Sequence, residues 1–441
     1  MTQYIDFYTN NKQKIEESCA PLLNAARKEA FEQFGREGLP VYRSEDYQHT
    51  DVPGLLEPDY GFYIGFTGEK IDPYKIFKCN LVNLTSYVHF TINGHFYDKS
   101  LGDHLPEGVF SGSLNTFARE YPDLFSRHYN QLAGSKGDGL SAFNTLFVQD
   151  GYVLYVPKNT IIDRPIQLTN VFNTPIDALV NRRILIILED NAQAKLLVCD
   201  HSMDDKPHVA ATQVSELFLG ENATFDFYEL EESTRNTIRL ANTFVKQAAS
   251  STLIANTITL SNGITRNNYH IDLDGEAADV KLYGLATADR QQRVDNYSVI
   301  NHNVAHCTSD ELFKYILDEE ATGAFSGKIV VAQDAQKTQA YQNNRNLLNG
   351  NACRIFSKPQ LEIYADDVKC SHGMTTGQLD ESALFYMRAR GIPEAEAKIL
   401  LLFAFADDVI KGIRIETMRD RLRLLVEKRF RGEPIKCQGC I

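Results

Sequence analysis

The sequence predicts a mainly β protein: a parallel β-helix core between an N-terminal helical or mixed region and a C-terminal helical domain. Three observations lead there. From Phe143 onward the chain breaks into short runs rich in β-branched and aromatic residues, which suit a pleated, half-buried surface. A turn phrase ending in alanine recurs before many of these runs, at 190–192, 221–223, 247–249, 275–277, 319–321 and 350–352. The alanines fall about 26 to 31 residues apart, with one irregular interval between Ala277 and Ala321. Finally, apolar residues return to helical spacing beyond Gly377. A β unit repeated at such intervals buries its face by stacking on the next unit, as in a solenoid. The alternative is a sandwich whose alanine turns are fortuitous. The expected divisions are residues 1–142, 143–377 and 378–441.

In chain order, Ser18 reads as a cap, Pro21 as a first-turn residue, and Leu23, Ala26, Ala30 and Phe34 as one helix face ending at Gly35. Tyr87 to Tyr97 predicts a hairpin, because Asn93-Gly94 tolerates the positive φ of a type I′ turn. Residues 98–140 yield no organised reading. The expected β runs are Leu146–Val148, Tyr152–Val156, Ile184–Leu188, Lys195–Val198, Phe225–Tyr228, Thr252–Ile254, Val280–Tyr283 and Ile329–Val331. After Gly377, a helix from Glu381 to Arg390 stops at Gly391, and Pro393 opens a second. A third, from about Ile415 to Phe430, stops at Gly432 and Pro434. The middle helix is apolar on nearly all sides between Ile399 and Ala406, so it demands cover on more than one face.

At 441 residues, two or three modules are expected, and 43% apolar content is ample for a core. The net charge of −13 argues against nucleic acid as the main partner, since phosphate binding needs a basic surface. The first residues lack the basic flank and apolar segment of a signal peptide. The longest apolar run, Ile399 to Ala406, is too short for a membrane span. A cytosolic protein with no membrane association is expected. Its eight cysteines are scattered, so reduced thiols are expected, with Cys19, Cys79 and Cys199 as small buried hydrophobes.

Several segments carry donors. Gly323–Lys328 fails as a phosphate loop, because its glycines are one residue too close and Ile329 replaces the hydroxyl that would hold magnesium. Asp366-Asp367 and Asp407-Asp408 read as solvated or structural pairs whose side chains diverge. Cys437 and Cys440 have Cys-x-x-Cys spacing for a metal, without a second pair to complete a site. Cys307, with His302 and His306, reads as a buried part of the β core. In Cys370-Ser371-His372, two donors that suit iron or zinc share one face of an extended chain. Two donors do not complete a metal site.

The wording around that element is specific. Lys358 to Gly373, continued by Gln378 to Gly391, resembles the signature of the SufB/SufD family of iron–sulfur cluster assembly scaffolds. Phe325–Ile329 and Tyr341–Leu348 match it too, so the resemblance runs through roughly residues 143–412. The N-terminal third is similar only loosely, and Tyr47 to Thr50 departs from the Trp-Lys-Tyr-Thr wording often found there. Gly373 resembles the SufD branch, since SufB usually carries Glu at that place. The resemblance implies a right-handed β-helix and a non-enzymatic subunit that pairs with a SufB-like paralogue. It implies docking of a SufC-like ABC ATPase on the C-terminal helices, with Leu384, Phe385, Tyr386, Arg388, Arg390, Leu402, Phe403 and Phe405 as candidates. It implies that His372 meets transient iron or a nascent iron–sulfur cluster at the partner interface, with Cys370 beside it and no cofactor tightly bound. Homodimer and heterodimer stay open for the isolated chain. The alternatives are a SufB-like cluster carrier, which Gly373 disfavours, and a β-helix carbohydrate lyase or hydrolase. Such enzymes are typically exported and stack sugars on tryptophan, whereas this chain has no tryptophan.

Overall fold

The structure, a computed structural model, describes residues 2–65, 71–76, 86–97 and 105–433. Cys79, Pro434, Cys437 and Cys440 lie outside the described residues.

From Tyr152 to Gly377 the chain winds as a two-sided parallel β-solenoid. Alternate strands, from Tyr152–Val156 to Arg354–Ile363, build one sheet, and those between them, from Ile166–Phe172 to Lys369–Gly377, build the other. Strands stack in register, so each inward side chain sits on its counterpart one coil earlier. That stacking turns period-2 alternation into continuous apolar columns, such as Ala194, Phe225, Leu253 and Val280. Where the columns turn polar, groups pair. Arg182 Nη1 donates to Asp200 Oδ1 (2.5 Å), and Arg239 Nη2 donates to Glu229 Oε1 (2.5 Å). Burial alone would raise the Asp200 carboxyl, but Arg182 and Arg239 outweigh it and hold it below the usual carboxylate range.

Two corners join the sheets, and they explain the repeat. At one corner Asn191, Asn222, Ser250, Ala277, His306 and Lys337 all hold positive φ, giving one tight turn per coil of about 27–31 residues. There Asn222 Nδ2 donates to Asn191 Oδ1, and Asn191 Nδ2 to Asn159 Oδ1, each at 2.8 Å. The phrases ending at Ala321 and Ala352 lie at the opposite corner. The irregular interval after Ala277 therefore spans one coil and a half.

The first coil is closed off. The strand Tyr87–Ile92 joins the second sheet in parallel, His95–Tyr97 folds back on it through the Asn93-Gly94 turn, and Phe110–Ser113 caps the first sheet antiparallel. Helices Thr2–Glu17, Arg27–Glu37 and Gly139–Phe147 share an apolar cluster with Leu179, Ala210 and Leu240 on the outer face of the first sheet. Three local expectations are corrected here. Ser18 caps nothing and instead donates to Ile15 O (2.7 Å) and Gln149 Oε1 (3.0 Å). The helix passes through Gly35 and stops at Gly38, whose φ is 67°. Leu146–Val148 is the end of the helix Gly139–Phe147, not a strand, because Asp138 caps that helix by accepting from the N–H groups of Leu140 and Ser141.

The helices Glu381–Ala389, Glu394–Ile410 and Glu416–Phe430 follow the solenoid, with Gly391 (φ 87°) and Gly432 (φ 69°) at the expected stops. Ala406, Val409, Ile410, Met418, Leu422 and Val426 pack on Leu285, Ile258 and Ile316 of the second sheet. Polar contacts fix this docking. Lys314 Nζ donates to Asp408 Oδ2 (2.6 Å) and Phe405 O (2.9 Å), and Arg414 pairs with Asp226. The middle helix is covered on more than one face, by the second sheet and by the helices on either side of it in the chain, and leaves Leu400 exposed. Asp407 and Asp408 sit on this helix rather than on a strand. Both are structural: Asp407 accepts from Arg423, and Asp408 pairs with Lys314. Asp367 pairs with Lys337.

Candidate functional site at the open end of the solenoid

Cys370 and His372 lie on Lys369–Gly377, the last strand of the second sheet, which among the described residues pairs only with Gln339–Leu348. Facing it, Arg354–Ile363 is the last strand of the first sheet and, among the described residues, pairs only with Thr322–Val331. Among the described residues both strands therefore present an unpaired backbone edge, while on the coil's outer face His49 stacks on Phe356 (4.2 Å) and Glu45 pairs with Lys358 (3.1 Å).

Alternation places Cys370, His372, Met374 and Thr376 on the inward side of this coil. Cys370 packs on the solenoid core, whereas His372, Met374 and Thr376 are exposed. Burial pushes the Cys370 thiol up, so its thiolate is disfavoured until a cation or partner replaces the proton. His372 Nδ1 lies 3.2 Å from the carbonyl oxygen of Pro359 on the facing strand. A carbonyl only accepts, so Nδ1 carries the proton and Nε2 the lone pair. A backbone carbonyl on the other ring nitrogen is also how metal-binding imidazoles are held in orientation.

Behind His372 runs one register column of the second sheet: Leu196, Phe227, Ala255, Leu282, Glu311, Gln342, His372. It is apolar for four coils and polar for the last three. Glu311 is fully buried; Ser298 Oγ donates to its Oε1 (2.5 Å) and Gln342 Nε2 to its Oε2 (2.6 Å). With no cation beside it, burial raises the Glu311 carboxyl to about 7. Gly327 on the facing sheet leaves the space for Gln342, since a Cβ there would lie 2.3 Å from Gln342 Nε2. Nothing in the one-dimensional sequence marked Glu311, and Gln342 stood only within the matching Tyr341–Leu348 wording, because their relation to His372 exists only through strand register.

The other donors do not gather. Cys307 and His302 are buried: the Cys307 thiol donates to Gly275 O (3.3 Å), and His302 Nε2 meets Ser309 Oγ (2.9 Å). Burial lowers His302 to about 4. His306 turns outward toward Glu276. Among the described residues, no three His, Cys, Asp or Glu side chains are grouped to hold a metal ion, and no helix is long and apolar enough to cross a membrane. Gly323–Lys328 is paired strand on both sides, not a loop.

The helical residues divide. Leu384 and Leu402 are buried, and Phe403 and Phe405 are half-buried against the second-sheet cluster. Phe385 and Tyr386 stand 72% and 58% exposed, Arg390 lies over the Tyr386 ring (4.7 Å), and Arg388 reaches Glu394 (3.4 Å). Leu400 and Leu424 add exposed apolar area that helical periodicity did not single out.

Fold and site together define a capped-at-one-end parallel β-solenoid that carries soft donors on its bare terminal coil. The sequence matches the family described as SUF system FeS cluster assembly, SufBD core domain, over residues 171–405, and the SufBD protein N-terminal region over residues 1–168. The chain belongs to the SufBD family of iron–sulfur cluster assembly. It is 32% identical to an iron–sulfur cluster assembly SufBD family protein of Synechocystis sp., over 91% of this chain and 90% of that protein. It is 26% identical to the iron–sulfur cluster assembly protein SufD of Escherichia coli, over 91% of this chain and 92% of that protein. With the SufD of Bacillus subtilis the figures are 26% identity over 78% and 77%. A role in iron–sulfur cluster assembly follows, and it displaces the carbohydrate-lyase alternative.

Proposed function

We propose that this chain is the SufD-type, non-catalytic scaffold subunit of a cytosolic cluster-assembly complex. Its terminal coil pairs with the matching end of a SufB-like paralogue, and its C-terminal helices dock a SufC-like ABC ATPase. The observation that carries this reading is the bare coil itself: two unpaired strand edges flank an imidazole whose lone pair faces away from its own anchor at Pro359. Imidazole nitrogen is a good iron donor, so His372 serves as a ligand to cargo iron or to the nascent cluster, and the partner supplies the remaining ligands. Cys370 supports it from a more buried position. No cofactor is held by the chain alone. The exposed Phe385 and Tyr386 rings, beside Arg390, supply the kind of aromatic and arginine anchors that dominate interfaces.

The test is co-expression with the SufB-like and SufC-like partners, followed by size exclusion and cluster absorbance. His372→Ala leaves the complex assembled, because the side chain is exposed and makes one hydrogen bond. Cluster absorbance falls several-fold, since few ligands share the site. Cys370→Ser has the smaller effect, and the Cys437/Cys440 double substitution the least. Wild-type cluster in an assembled His372→Ala complex removes His372 from the site.

A further inference from the structure

On the outer face of the first sheet, residues 45–55 run as a strap across the strands Ile264–Leu273, Arg293–His302, Thr322–Val331 and Arg354–Ile363. The strap is tied down along its length. Lys358 Nζ donates to Glu45 Oε1 (3.1 Å), Tyr297 OH to Asp46 Oδ1 (2.8 Å), Asn268 Nδ2 to Tyr47 OH (3.0 Å) and Thr50 Oγ1 to Asp295 Oδ2 (2.6 Å). Beneath it one outward register column reads Arg266, Asp295, Ala324, Phe356, and the alanine leaves a gap between larger neighbours. A cavity of about 290 Å³ results, with His49, Thr50 and Leu55 over a floor of Ile264, Asp295 and Ala324. Three polar groups lining it have no hydrogen-bond partner among the described residues. Arg266 Nη1 (2.5 Å) and Thr50 both donate to Asp295 Oδ2, so Oδ1 is left free although the residue is only 5% exposed. Arg293 lies two residues earlier on the same face, exposed at the rim, and its guanidinium pairs with nothing. His49 stacks on Phe356 but uses neither ring nitrogen; burial lowers it from its ordinary value, so the neutral ring offers one donor and one acceptor.

We propose that this cavity binds a small α-amino acid as its zwitterion, with the carboxylate on Arg293, the ammonium on Asp295 Oδ1 and the side chain against Leu55, Ile264 and Ala324. The site does not depend on the scaffold reading. Three features select the occupant. Arg293 and Asp295 stand roughly 7 Å apart along one strand, yet they do not pair, because Asp295 is turned to Arg266 and Thr50. The two charged groups of an α-amino acid are joined through a single carbon and fit that short gap, whereas a plain anion leaves the buried carboxylate oxygen without a donor. Around the cavity Arg266 and Arg293 balance Asp51 and Asp295, which suits a ligand of no net charge. The volume lies at the small end of ligand pockets, and the apolar floor suits a short aliphatic side chain.

L-leucine is the probe, with 4-methylpentanoate and 3-methylbutylamine as the same skeleton lacking the amine or the carboxylate. Calorimetric titration of the full chain should give one saturable site for L-leucine, with either fragment weaker by at least about tenfold, as loss of a charged hydrogen-bond partner dictates. Arg293→Leu, an exposed change that breaks no side-chain contact, should weaken L-leucine by a similar factor. Ala324→Leu fills the floor and should abolish binding. Arg354→Leu removes the next arginine of the same column, outside the cavity, and should leave the affinity unchanged. Asp295→Asn should bring L-leucine down to the level of 4-methylpentanoate. Because Asp295 also pairs with Arg266, a circular dichroism melt checks that variant, and Arg293→Leu decides the matter if it misfolds. Three results overturn the proposal: no saturable L-leucine site in the wild type, either fragment binding as tightly as L-leucine, or unchanged affinity in folded Arg293→Leu.

Discussion

Glu311 has two neutral donors and no cation, in a position with no water access along its own strand. Its carboxyl titrates near 7 in the folded chain and near the usual 4.5 when unfolded. Between those values the folded state binds the extra proton, so its contribution to stability is full below about pH 4.5 and is lost as pH rises through 7. The shift corresponds to about 3 kcal/mol. Glu311→Gln keeps a group of the same shape and removes the titration. The variant should therefore be more stable than the wild type by a few kcal/mol at pH 8 and gain nothing of that kind near pH 4.5. Urea unfolding at the two pH values reads the difference. An equal effect at both would mean that burial of the charge is not what sets Glu311 apart. The residue scale is also where sequence reading divides most sharply. Cys370 and His372 were legible because a Cys-x-His pair is contiguous. Glu311 and Gln342 were not, because a solenoid places chemistry about thirty residues apart in the chain at adjacent positions in space.

Elements were legible where they carry their own punctuation. Gly391, Pro393 and Gly432 mark the C-terminal helices as read, and Asn93-Gly94 marks the hairpin. Misreadings came where a local signal had two uses. Leu146–Val148 is as apolar as a strand, and only the Asp138 cap upstream shows that a helix reaches it. The alanine turn phrase occurs at both corners, so a reading that assumed one corner found an irregular period. The middle C-terminal helix, apolar on nearly all sides between Ile399 and Ala406, packs on the second sheet and on both flanking helices, and the first of these turns Phe385 and Tyr386 to solvent. Because these rings contribute little to the fold, Phe385→Ser with Tyr386→Ser should change unfolding free energy by less than about 1 kcal/mol. The same pair should abolish capture of the SufC-like ATPase, since truncating aromatic anchors removes most of an interface's binding energy. Undiminished capture by the folded double variant would move the docking surface elsewhere, with Leu400 and Leu424 the next apolar area to test.

The whole molecule is asymmetric along the solenoid axis, and that asymmetry is its most consequential property. At the first coil, antiparallel strands occupy the strand edges and helices cover an outer face. At the last coil, both edges are bare, with Ile363 41%, Tyr364 63% and Met374 49% exposed. Open strand edges recruit further strands, and here Arg354, Lys358, Glu362 and Lys369, with Pro359 lacking an N–H, blunt the pair without covering it. Here the recruiting surface coincides with the donors, so whatever covers the edges also encloses His372. Ile363→Lys with Met374→Lys places two cations on the exposed end without touching the covered coils. Burying them against a partner costs several kcal/mol, whereas in the free chain both stay solvated. The double variant should melt like the wild type, lose the SufB-like partner in size exclusion, and form no cluster even though His372 and Cys370 are intact. If it pairs at wild-type yield, the open coil is not the pairing surface, and His372 would need a different route to the cluster.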